Sequence, residues 1–136
     1  YTFPTRRSSD LAEYLASVLK KRATVFLMSD FSSQEEFGQS LKRLSRKHEV
    51  ISVVVNDEAE QAVPDVGLMD FYDPETEEVM TLDTSSPIFK RMLFSEFKKD
   101  QAFKNAELKK AQTDRIDIPN NEDFVEPLLN YFRRRV

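Results

Sequence analysis

Two short runs of apolar, mostly β-branched residues constrain this chain more than anything else in it: Thr24-Val25-Phe26-Leu27-Met28 and Val50-Ile51-Ser52-Val53-Val54-Val55. Neither alternates polar with apolar, so both faces of each strand need cover, as in the central strands of parallel sheets. After the polar break Ser29-Asp30-Phe31-Ser32-Ser33, Phe37, Leu41 and Leu44 recur at helical spacing, and the segment closes on basic residues up to His48. Ser33 and Glu36 have capping-box spacing, which predicts a helix over 34–47. Strand, helix and strand in that order make a parallel crossover unit.

The flanking segments extend the alternation. Leu11, Leu15, Val18 and Leu19 mark one face of a helix before the first strand. Beyond the second strand, 67–72 and 78–83 read as short strands around Asp73-Pro74-Glu75-Thr76-Glu77, a hairpin inserted in the α/β pattern. Pro87 opens a long helix running to about Lys110, in which Met92, Leu93, Phe94, Phe97 and Phe103 are expected to form a core face. Arg115-Ile116-Asp117-Ile118 is a last strand, and Asn121 is placed to cap a closing helix presenting Phe124, Val125, Leu128, Leu129, Tyr131 and Phe132 to the core.

Composition narrows the chemistry. The 136 residues suit one domain, and the balance of 40% hydrophobic to 32% charged is that of a globular chain. There is no cysteine and one histidine, which excludes disulfides, thiolate catalysis and the usual zinc sites, so a metal would take oxygen ligands. A net charge of −4 argues against nucleic acid as a partner. Neither apolar run approaches the roughly 20 residues of a membrane span. Residues Phe3 to Leu11, FPTRRSSDL, match one reading frame of a common sequencing adapter. Residues 1–10 are therefore expected to be an artefact without a packed role, and 11–136 the C-terminal part of a longer domain.

FLMSDF at the end of the first strand, the stretch RLSRKHEVISVVVNDEAEQAVPDVGLMDFYDPETEEVMTLDTSS, and the closing NEDFVEPLLNYFRRR together resemble domain-of-unknown-function family 58. The resemblance implies a von Willebrand factor A-like fold: an α/β, incomplete doubly wound and mostly parallel sheet with helices on both faces. It also implies an association with MoxR-type AAA+ ATPases. In von Willebrand A domains a divalent cation sits above the carboxyl ends of the strands. Of that metal motif only the later strand-end aspartate has a match here, Asp30, which would meet Mg2+ through a bridging water and only in a full-length protein. The fragment alone is expected to carry no cofactor.

Each candidate also has a plainer reading. Asp30 could cap the next helix or form a turn, and Asp57 at the following strand end reads the same way. His48 is expected to act as a cation on the helix dipole, and Arg133 to Arg135 as a solvated helix end. The two glycines, Gly38 and Gly67, are read as lying outside any strand-to-helix turn, so no phosphate loop is expected. The favoured function is a non-enzymatic protein-interaction module, an adaptor to a MoxR-type ATPase in complex assembly or maturation. The alternative is a magnesium-dependent phosphotransfer or hydrolase domain using Asp30 and Asp57. A third reading, simple docking onto the rest of a larger protein, shares its sequence features with the first. The expected location is cytoplasmic, or at the inner membrane through upstream segments.

Overall fold

The structure, a computed structural model, describes residues 8–32, 36–56, 64–120 and 123–135. Elements follow in the order α1 (Ser8–Val18), β1 (Thr24–Ser29), α2 (Gly38–Lys47), β2 (Glu49–Asn56), β3 (Leu68–Asp73), β4 (Glu78–Asp83), α3 (Pro87–Ala111), β5 (Asp114–Pro119) and α4 (Val125–Arg135). They divide into two compact units, residues 1–57 with 100–136, and residues 58–99.

In the first unit β1, β2 and β5 form a parallel sheet in the order β1-β2-β5. β2 lies between its neighbours, which is why its apolar run is continuous. Val50 and Val54 face one side with Leu27, and Ile51 and Val53 face the other with Ile116 and Ile118. On the first face α1 contributes Ala12, α2 contributes Leu41 and Leu44, and the last turns of α3 contribute Leu108 and Ala111. On the second face α4 lays Leu128 and Tyr131 against the sheet. Helices therefore cover both faces of a mostly parallel sheet, as the von Willebrand A-like expectation requires. Ser52, fully buried within the sheet, satisfies its hydroxyl against Thr113 at 2.8 Å.

The second unit is the expected hairpin and the start of α3. β3 and β4 pair antiparallel with Phe71 opposite Met80, and Phe71 packs on Phe89 of α3. Gly67 enters β3 at φ +81, where a Cβ would be strained. Thr84, 1% exposed, locks that entry: its hydroxyl donates to the Gly67 carbonyl at 2.7 Å and accepts from the Val66 N–H at 3.1 Å. Asp65 in turn accepts from the Ser85 hydroxyl and from Lys90, whose ammonium holds the carboxyl below the usual carboxylate range. The 64–68 and 83–84 stretches that carried the resemblance are thus the two sides of one clasp.

Several expectations are corrected. α1 starts at Ser8, three residues ahead of the expected Leu11, and Phe3 and Pro4 lie outside the described residues. Its packed face is Leu11, Ala12, Leu15 and Ala16, with Val18 exposed. α2 begins at Gly38 with Phe37 at the N-cap and no side-chain cap from that residue; Ser33 lies outside the described residues. Asn121 also lies outside them, and the first turn of α4 is capped by Asp123, which accepts from the Val125 N–H at 2.9 Å. Met92 and Phe94 are exposed, because consecutive residues stand about 100° apart on a helix and 92, 93 and 94 cannot share a face. Phe132 is likewise half exposed, and reaches Phe26 at 6.2 Å between centroids.

Candidate functional site

Because β1, β2 and β5 are parallel, their carboxyl ends share one edge, the place where open α/β sheets put ligands. There β1 ends in Ser29-Asp30. The Ser29 hydroxyl oxygen accepts the Phe31 N–H at 3.1 Å, and Asp30 Oδ1 accepts both the N–H and the hydroxyl of Ser32, at 3.1 and 3.0 Å. Two short polar side chains so fold the strand end back on itself. Phe31 between them adopts φ 52, a left-handed conformation tolerated because its ring is buried against Phe37 at 5.1 Å. Asp30 itself is exposed. It forms a turn rather than capping α2.

The N-terminus of α2 is capped from a distance. Glu107 on α3 is 4% exposed, and its Oε2 accepts the N–H groups of Phe37 and Gly38 at 3.1 and 2.8 Å while Oε1 meets the Lys110 ammonium at 2.9 Å. Burial pushes this carboxyl up, but Lys110 and the two amides outweigh burial and hold it below its ordinary value. One turn earlier, Lys104, 7% exposed, points its ammonium at the Asp30 carbonyl at 3.5 Å. Gly38 therefore does open a helix after a strand, contrary to the sequence reading. The cause is close packing: a Cβ there would lie 2.7 Å from the Glu107 carbonyl and 2.9 Å from Oε2.

Along the same edge Asn56 donates to Asp117 at 3.2 Å, and Asp117 takes both Nε and Nη2 of Arg115 at 2.9 Å each. Arg115 reaches on to Asn105 at 2.9 Å. Asp57 lies outside the described residues. Among the described residues no group of three or more His, Cys, Asp or Glu side chains converges as a metal cage. Among the described residues Asp30 offers this edge one carboxylate, its Oδ1 already accepting two hydrogen bonds, where magnesium asks for near-octahedral oxygens at about 2.1 Å.

A family model described as protein of unknown function DUF58 matches residues 2–104. The chain belongs to this family. The DUF58 match takes in α1, runs on through β1 and the hairpin clasp, and reaches into α3 as far as Lys104; β5 and α4 lie beyond it. No curated protein and no solved structure matches the chain.

The opposite edge of the sheet holds what sequence reasoning misread in this DUF58 chain. His48 is buried, and its Nδ1 accepts the Ala23 N–H at 3.2 Å, so the ring closes a strand entry. Arg135 pairs with Glu49 and donates to the Tyr131 hydroxyl, which donates to Asp114 at 2.8 Å. Arg135 thus fastens α4 to β2 and β5, while Arg133 and Arg134 are exposed, as expected of a solvated helix end. No helix among the described residues is long and apolar enough to cross a membrane.

Proposed function

We propose that this chain is a non-enzymatic protein-interaction module that meets its partner at the carboxyl edge of the parallel sheet, around Asp30. The carrying observation is the exposed Asp30 turn, set on a strand end where such sheets bind and braced from beneath by α3. The partner proposed is a MoxR-type AAA+ ATPase, met in the cytoplasm as an adaptor in complex assembly or maturation. A magnesium ion at this edge would need ligands beyond the described residues; the proposal takes them from upstream of Leu11, with Asp30 reached through a bridging water. The competing phosphotransfer reading loses support at α2, because the two amides where a phosphate would dock are taken by the Glu107 carboxylate.

Calorimetric titration tests the proposal. Magnesium and a MoxR-type AAA+ ATPase are titrated into the gene product that contains this chain (here the parent product) and into the present chain, each with Asp30 and with Asp30→Ala. Expected is metal-dependent ATPase binding by the parent product, weakened about tenfold or more by Asp30→Ala with little change in Tm. Tight magnesium binding by the present chain, or no ATPase binding by the parent product, overturns it.

A further inference from the structure

Glu107 and Lys104 are both more than nine-tenths buried, yet neither belongs to the apolar core. Burying charge is costly, and a buried ion pair is weak support for stability by itself. A serine or aspartate at the N-cap would cap α2 locally, through the amides two and three residues on, and without burial. The distant solution does something a local cap does not: it ties both ends of the β1–α2 connection to one rigid element. Lys104 and Glu107 stand three residues apart, on one face of α3. The first grips the carbonyl where β1 ends, and the second grips the amides where α2 begins. Gly38 admits that approach because it has no side chain, and Phe31 is held in a left-handed turn between the two grips.

We propose that Lys104 and Glu107 are a positioning pair that fixes the Asp30 turn at the sheet edge, setting the direction from which its carboxylate meets a ligand. Its bearing on binding rests on the reading of Asp30 given above; its geometry does not. Loss of Glu107 frees the amides of Phe37 and Gly38, and loss of Lys104 frees the Asp30 carbonyl and loosens the Ser32 turn. Because Glu107→Ala leaves two N–H donors and the Lys110 ammonium around a carboxylate-sized space, added acetate can take its place.

Amide hydrogen exchange by NMR on the present chain tests this, with Glu107→Ala, Glu107→Gln and Lys104→Met. The central β2 amides of Ile51 to Val54 report global opening, and those of Ser32, Phe37 and Gly38 report the turn. In Glu107→Ala the Phe37 and Gly38 amides are expected to exchange about tenfold faster relative to β2, with acetate restoring protection saturably and Glu107→Gln falling between. In Lys104→Met the Ser32 amide alone shifts. Uniform acceleration of all amides, or no acetate rescue, reduces the pair to ordinary stabilisation and overturns the proposal. If Glu107→Ala does not fold, Glu107→Gln must show the same local pattern or the proposal falls. ATPase binding by the parent product separates the two readings. If Asp30→Ala leaves it intact while Glu107→Ala opens the turn, the pair stands and the Asp30 reading fails. If Asp30→Ala weakens it while Glu107→Ala changes nothing, the pair fails.

Discussion

Glu107 carries two consequences for acid stability. Its folded pKa lies below the ordinary 4.5, so it contributes stability that is present above that value and lost as pH falls through the lowered one. Denaturant unfolding followed from neutral to acid pH is expected to show this loss in the parent chain and a flatter acid limb in Glu107→Gln. Tyr131 behaves with the opposite sign at the alkaline end. Burial, and then its hydrogen bond to Asp114, push the phenol up from 10.0 to about 12, so its contribution is whole below pH 10 and fades as pH rises through about 12. Absorbance titration should find one of the four tyrosines ionising late, and Tyr131→Phe should remove that step. Asp30 was legible in the sequence because an acid following a buried strand must emerge at the sheet edge. Glu107 was not. Its capped amides lie 69 and 70 residues away, and Glu107 followed three residues later by Lys110 looks locally like any solvated helix pair.

At the level of elements, β2 could be read directly, since a run buried on both faces leaves a continuous apolar string. β1, expected to be covered on both faces, pairs on one side alone among the described residues and exposes Phe26 and Met28. Helix starts were harder. Ser33 and Glu36 have capping-box spacing, but Ser33 lies outside the described residues, and the amides of Phe37 and Gly38 are met by another element, a tertiary contact that leaves no local signature. The same contact decides a substitution whose sign would otherwise be misjudged. At the first position of α2, glycine to alanine normally gains up to about 1 kcal/mol from helix propensity. In Gly38→Ala the new methyl meets the Glu107 carbonyl at 2.7 Å, so a net loss of about 1–3 kcal/mol is expected, measured as a lower midpoint in urea. α3 was placed well at both ends but its faces were not, because apolar residues run together at Met92-Leu93-Phe94 and periodicity cannot say which of three neighbours points inward.

Taken as a whole molecule, the class of fold and the order of elements were readable, and the division into two units was not. The hairpin was anticipated as an insertion, but the clasp of Asp65, Gly67 and Thr84 that makes 58–99 compact joins residues far apart in the chain. The sheet itself has an open side. Among the described residues β1 pairs with β2 alone, carries no charge, and exposes Phe26 at 45%, beside Phe132 of α4, and Met28 at 64%. An uncharged apolar edge of this kind is prone to pair with another strand. Sedimentation velocity is expected to show concentration-dependent association of this chain, moved to higher concentration by Met28→Lys; an unchanged profile would show that this edge is not the contact.

The cap on α2 also sets an order of events during synthesis. Glu107 reaches Gly38 across 69 residues, and β5, on the far side of β2, follows it in the chain. A nascent polypeptide carrying β1, α2 and β2 as far as Asn56 therefore waits for about fifty further residues before the amides at Phe37 and Gly38 find their partner in Glu107. Contacts of such long sequence separation slow folding and lengthen the exposure of apolar strands. Any product that stops short of residue 107 must leave the start of α2 open to water, whatever the quality of the two strands made before it.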